Sequence, residues 1–257
     1  MKEIHSTALI DPTAVIGQNV KIGPYSIIEA DTIIGDNVTI GSHCQIARYA
    51  ELRDNVALFQ GVVLGTVPQD LKFKGERTRL VIGKGTVIRE YAMLNRGTSA
   101  HGETTIGENC FLMAYSHVAH DCTVGNNVIL ANSVNLAGHI EIGDWVTIGG
   151  VVPIHQFVKI GAHSMIGGGF RVPQDICPYS LVAGYPIRVV GLNTIGLKRR
   201  GFKTETIHLL EKTFKILFFS GFNTSQAVTR IKEDVEAIPE VQLILDFIGK
   251  SDRGIIK

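Results

Sequence analysis

The 257-residue chain has almost no net charge, few cysteines and no long apolar run. Lysine and arginine number 25 against 24 aspartates and glutamates, a formal charge of +1. Nothing in that balance selects a nucleic acid as partner. The four cysteines, Cys44, Cys110, Cys122 and Cys177, form no Cys-x-x-Cys pair and no ligand spacing. A disulfide framework and a thiolate zinc site are both excluded. The opening Met-Lys-Glu leads into no apolar signal segment, so the cysteines read as reduced thiols of a cytoplasmic protein. No stretch is long and apolar enough to span a bilayer, and no transmembrane segment is expected. No serine or cysteine sits in a nucleophile elbow. Gly167-Gly168-Gly169 lacks the strand–turn–helix context of a Rossmann or P-loop phosphate site. No cofactor and no metal are assigned.

What is present is a six-residue beat. Ile4, Ile10, Ile16, Ile22, Ile28, Ile34, Ile40, Ile46, Leu52 and Leu58 are evenly spaced, and the beat returns from Ile106 to Val172. An α-helix cannot keep a period of six on one face, and a flat antiparallel strand would alternate every two residues. A coil of parallel strands fits, with six residues per side, eighteen per turn, and each anchor pointing at the axis. Two polar stretches break the pattern, Thr66 to Arg79 and Arg96 to Thr104. They read as loops ejected from the coil, where ligand or partner contacts concentrate. Pro173, Pro178 and Pro186 close the regular part.

Beyond it the period changes to three and four. Helices are expected from Thr204 or Glu205 to about Ser220, from an Asn223 or Thr224 cap through Val235, and after Pro239. The chain thus divides into a β-coil over 1–190 and a helical domain over 191–257. Lys198, Arg199, Arg200 and Lys203 give the helical part a basic start, suited to phosphates or an acidic partner.

Counted at eighteen per turn, His117, His120, His139 and His155 fall along one edge of the coil, and His163 falls away from it. His101 lies in a loop, where the count does not apply. Such a row has three readings. His117 and His120 could share a metal, but no further ligand completes the set. His120 could serve as a general base with Asp121 to orient it. Or the row is a hydrated edge. A coil with a catalytic histidine suits direct acyl transfer, in which an acceptor hydroxyl or amine attacks a thioester.

Several runs carry a family resemblance: Gln69-Asp70-Leu71-Lys72, Arg96-Gly97-Thr98, His117-Val118-Ala119-His120-Asp121, Leu136-Ala137-Gly138-His139, His155-Gln156-Phe157 and Gly196-Leu197-Lys198-Arg199-Arg200-Gly201-Phe202. Over essentially its whole length the chain resembles the acyl-(acyl-carrier-protein):UDP-N-acetylglucosamine O-acyltransferases, which open lipid A synthesis in Gram-negative bacteria. The resemblance implies a mainly β fold, a left-handed parallel β-helix of hexapeptide repeats with a C-terminal α-helical domain. It implies a homotrimer with its clefts between coils, a UDP-sugar substrate, and acyl carrier protein as donor. It makes His120 the base for the sugar 3-hydroxyl, Asp121 its support, and Gly138 the backbone N–H at the oxyanion. Lys72 and His117 become positioning groups, Gln69 and Asp70 contacts to the sugar, and His139 and His155 pocket residues. Asn193 and Arg199 become contacts to the nucleotide, with Arg200 in the same basic patch.

Three departures touch that assignment. Gly184-Tyr185-Pro186 stands where many members have Gly-Asn-His, and Ile195 where many have glutamate. Some relatives acylate a 3-amino UDP-sugar, so an amide product is the alternative. Gly168 matches the acyl-chain ruler, with bulky Phe170 and Arg171 beside it. Two other classes are a γ-type carbonic anhydrase, which needs three imidazoles at one metal, and a non-catalytic scaffold.

Overall fold

A computed structural model describes residues 2–257. Met1, the first residue of the expected 1–190 domain, lies outside them. Each six-residue unit supplies a short strand whose second residue points inward. Ile22, Ile28, Ile34 and Ile40 are buried, whereas Lys21, Ile27, Ile33 and Thr39 face out. Each buried isoleucine stabilises the coil by roughly 1.5–3 kcal/mol. Strands stack at eighteen-residue intervals, Ile4 on Ile22 and Ile22 on Ile40, always parallel within the coil. The described residues form a first sheet of eleven strands and a second and third of eight each. The chain visits them in rotation, so they are the three walls of a prism.

The corners carry the strain. Three residues past each anchor the backbone turns left-handed, at Asn19, Tyr25, Asp31, Asn37 and their successors. Side chains tie neighbouring corners together: Asp36 Oδ1 accepts the Gln18 N–H at 2.7 Å, and Asp54 Oδ1 the Asp36 N–H at 2.9 Å.

Both ejected loops preserve the beat. Across the first, Leu58 pairs with Ile88; across the second, Ile88 pairs with Leu112. Each loop therefore adds whole units of six. Any other length would swing the following anchors out of the core.

The exit from the coil differs from expectation. Ser180–Ala183 and Arg188–Leu192 form an antiparallel hairpin that extends the first sheet. A short helix, α1 (Thr194–Arg199), follows, capped by Asn193. Six residues are too few to show a periodic signal. The three expected helices are α2 (Thr204–Phe219), α3 (Thr224–Asp234) and α4 (Pro239–Gly249). Asn223 and Gln226 close a capping box on α3. The tail then returns to the coil, where Ser251 Oγ donates to the buried Asp175 carboxylate at 2.6 Å. No helix among the described residues is long and apolar enough to cross a membrane. All four cysteines are buried and unpaired.

Candidate active site

The corner from the second wall to the third is where chemistry collects. The strand His117–Val118 ends on the second wall and Thr123–Val124 begins on the third. The turn between them presents His120 and Asp121. One coil on, the same turn presents Gly138 and His139, and the next presents Gln156 and Phe157. Asp121, His139 and Phe157 all take the left-handed corner conformation, so their side chains stack in a column. The His139 ring lies on Phe157 at 4.6 Å and nearly parallel, and meets His120 edge-on at 5.1 Å. His101, from the second loop, closes on His139 at 5.4 Å.

Asp121 is the buried centre, 1% exposed. Its Oδ1 accepts the Thr98 N–H at 2.8 Å; its Oδ2 accepts the Thr98 hydroxyl at 2.6 Å and His120 Nδ1–H at 2.8 Å. Burial by itself would raise this carboxyl, but the bonds from Thr98 and His120 outweigh it and hold the pKa below the ordinary value. An ionised carboxylate only accepts, so the His120 proton sits on Nδ1 and Nε2 is left as a bare base. Burial pushes the His139 pKa down despite the nearby Asp121, which keeps that ring neutral beside His120. The Asp70 charge of the first loop acts weakly on His139, in the raising direction.

Gly138 has to be glycine. A Cβ there would sit 2.7 Å from His120 Cε1 and 2.9 Å from Nε2. Its N–H has no acceptor among the described residues. The turn next to the imidazole therefore holds a free backbone donor, of the kind that can receive an oxyanion.

The four histidines expected along one edge do not occupy equivalent places on it. His117 faces out from the second wall and its Nδ1 donates to Met93 O at 3.1 Å; burial lowers its pKa. His155 directly follows the strand Pro153–Ile154 of that wall, and its Nδ1 donates to Gln156 O at 3.1 Å. A uniform angle per residue puts all four on one line. Flat walls with sharp corners put His117 in a strand, His155 just past a strand end, and His120 and His139 in the turns. The count could not place His101 or Thr98, because loop residues have no phase. Donor atoms of His120, Asp121 and His139 lie within 4.8 Å of one another. Both Asp121 oxygens and His120 Nδ1 are already engaged, however, and His117 is not in that group.

In the first loop, Asp70 Oδ1 accepts the Lys72 N–H at 2.9 Å, and Gln69 and Lys72 stand exposed.

Residues 175–256 match the family model "Udp N-acetylglucosamine O-acyltransferase; Domain 2". Residues 13–48 and 103–138 match "Bacterial transferase hexapeptide (six repeats)". The acyl-(acyl-carrier-protein)–UDP-N-acetylglucosamine O-acyltransferase of Thermodesulfovibrio yellowstonii is 45% identical over 258 residues, covering all of both chains. The chain belongs to this acyltransferase family. The relative of that name from Trichlorobacter lovleyi is 52% identical, with 99% of each chain covered. A UDP-N-acetylglucosamine acyltransferase structure from Bacteroides fragilis superposes with a TM-score of 0.97 at 43% identity, over 98% of this chain and 99% of that one. The Acinetobacter baumannii structure gives 0.95 at 43% identity over 99% of each. The fold class follows: a left-handed parallel β-helix of hexapeptide repeats with C-terminal α-helices.

The remaining acyltransferase positions lie elsewhere on the prism. Asn193, Arg199 and Arg200 line a cleft of about 890 Å³ with Trp145 and the exposed Ile195, at the corner from the third wall to the first. Asn193 is engaged there twice. Its Nδ2 donates to His163 O at 2.8 Å, and its Oδ1 caps α1 through the Gly196 N–H. Arg200 donates to Trp145 O at 2.8 Å. Burial, and after it the Arg200 charge, push the His163 pKa down to about 4. Gly168 lies at the remaining corner, where a Cβ would meet Gly150 O at 3.0 Å. Phe170 packs toward Gly167, and Arg171 is exposed beside the Ile154–Val172 bridge to the second wall. A single chain therefore keeps His120 and Arg199–Arg200 on different edges.

Proposed function

We propose that the chain transfers a 3-hydroxyacyl group from acyl carrier protein to the 3-hydroxyl of UDP-N-acetylglucosamine, the first step of lipid A biosynthesis. One observation carries the mechanism: His120, oriented by Asp121 through Nδ1, leaves Nε2 to act beside Gly138, where a Cβ would sit 2.9 Å from it. His120 Nε2 removes the hydroxyl proton as the sugar oxygen bonds to the thioester carbonyl carbon. The Gly138 N–H receives the developing oxyanion. The C–S bond then breaks, and the carrier thiolate takes the proton back from His120. General-base catalysis of this kind contributes about 10²–10⁴-fold, and one oxyanion donor a comparable factor.

The coil, 1–190, supplies the base and the ruler; the helical part, 191–257, supplies the nucleotide contacts. Gln69, Asp70, Lys72, His117, His139 and His155 hold the sugar and the reacting ends, and Gly168, Phe170 and Arg171 bound the acyl chain. Because the two halves stand on different edges, the working cleft joins His120 of one copy to Asn193, Arg199 and Arg200 of the next in a homotrimer. The basic start of the helical part suits an acidic carrier protein. The reaction belongs in the cytoplasm.

A second reading has the 3-amino UDP-sugar as acceptor. Ile195 favours it, since an exposed isoleucine lines the nucleotide cleft where family members carry an acid. The deciding assay offers purified protein a ladder of 3-hydroxyacyl carrier-protein donors with UDP-N-acetylglucosamine and its 3-amino analogue side by side. Preference for the hydroxyl sugar is expected. Preference for the amine moves the product to an amide, and transfer to neither sinks both readings.

A further inference from the structure

The loop over 67–78 carries Gln69, Asp70 and Lys72, yet its own bonds are local. Lys72 N–H reaches Asp70 Oδ1, Phe73 N–H reaches Asp70 O at 3.0 Å, and Lys74 N–H reaches Glu76 at 2.8 Å. Gln69 touches the coil only through a long 3.9 Å approach to Met93 Sδ. Several of its attachments come from one short segment, Asn95 to Thr98; Glu76 adds a bond to Ser99. The buried Asn95 Nδ2 donates to Thr66 Oγ1 at 2.9 Å and Val67 O at 3.1 Å, fixing the loop's root. The Arg96 guanidinium carbon lies 5.5 Å from the Phe73 ring of the loop and 5.5 Å from the Tyr49 ring of the coil. Arg77, at the loop's far end, covers the same Tyr49 ring at 5.1 Å.

Arg96 is 8% exposed, and among the described residues its Nε has no acceptor and the one hydrogen bond of its side chain is a 3.4 Å contact to Arg48 O. A buried guanidinium held so poorly by oxygen is held instead by two π faces. Its flat shape suits that sandwich in a way an ammonium does not. Two residues on, Thr98 grips both oxygens of Asp121. The link between them is stiff, since a Cβ on Gly97 would sit 2.5 Å from the Glu103 nitrogen.

We infer that Arg96 is a positioning residue for the reaction: clamped between Tyr49 and Phe73, it seats the Gln69–Asp70–Lys72 loop against the edge that carries His120. The segment Asn95–Thr98 then sets the acceptor-binding loop and the catalytic dyad in one frame. The clamp rests on geometry alone, and only its kinetic readout rests on the proposed transfer.

The test uses full-length Phe73→Ala, Arg96→Met and Arg96→Lys. Phe73 belongs to the ejected loop, so its truncation leaves the coil's core intact. Each of F73A and R96M is expected to raise KM for the UDP-sugar about tenfold with kcat within about threefold, the signature of lost positioning in ground and transition state alike. Trypsin should cut the native protein faster after the exposed Lys72, Lys74 and Arg77. R96K, which keeps the charge and loses the plane, should not restore KM. Wild-type KM and wild-type nicking in F73A overturn the proposal. So does a fall in kcat and melting temperature in R96M without faster nicking, which would make Arg96 a support of the coil alone. Faster nicking in F73A, in a protein inactive on UDP-sugars, keeps the clamp and sinks the transfer reading.

Discussion

In the proposed transfer, the position of one proton on His120 decides the chemistry. The Asp121 carboxylate fixes it on Nδ1, and that leaves Nε2 to act. His120→Ala should cut transfer by about 10²–10⁴-fold and lower the thermal midpoint, because it removes one of the bonds that hold the buried Asp121 carboxylate; an assay paired with calorimetry checks both. Thr98 is the less visible partner. Its hydroxyl and N–H keep the Asp121 pKa below its reference of 3.8. A carboxyl held low stabilises the fold in full above that reference, and the contribution disappears as pH falls through the lowered value. Thr98→Val removes one charge-assisted bond, worth about 1.5–3 kcal/mol. The variant should melt earlier at pH 7, and its acid loss should be smaller and complete at a higher pH than in the parent. Melting curves from pH 7 to acid measure this. An acid limb identical to the parent's would show that Thr98 does not hold the carboxylate.

The recurring element is the corner turn, and it does not suit every residue equally. Asparagine, aspartate and glycine take left-handed backbone readily, whereas a β-branched residue pays for it. Val151 is the one β-branched residue at such a corner among the described residues, with φ 58° and 66% exposure. Little packing offsets that strain. Val151→Asn should stabilise the protein by roughly 1 kcal/mol and raise the midpoint by about 2–4 °C, read by thermal unfolding. The strands and three of the helices could be read from the sequence because their signals are periodic. The hairpin at Ser180–Leu192 and helix α1 could not, being too short to repeat. The two loops were visible only as gaps in the beat; what they touch was not.

For the whole molecule, the separation of edges makes a strong prediction. If each cleft joins two copies, His120→Ala and Arg200→Ala subunits, each inactive alone, should complement one another. Mixed, unfolded and refolded together, they should recover activity toward roughly a quarter of wild type, the share of intact clefts that random mixing in a closed ring leaves. No recovery, with mixed trimers present by mass spectrometry, would place the whole site within one chain.

The sequence by itself determined the coil. A period of six with inward anchors repeats the same local choice at every turn, and loops that add whole units of six leave it in phase. It also named the residue types at the catalytic corner, because the family's motifs are contiguous there. Tertiary structure alone decided which of them meet. Thr98 and Asp121 are 23 residues apart across an ejected loop, Asn95 reaches back 29 residues to Thr66, and the Arg96 guanidinium lies 5.5 Å from a ring of the coil, Tyr49, and from a ring of the loop, Phe73. Contacts of this kind follow from where the chain returns. A return path has no period to read.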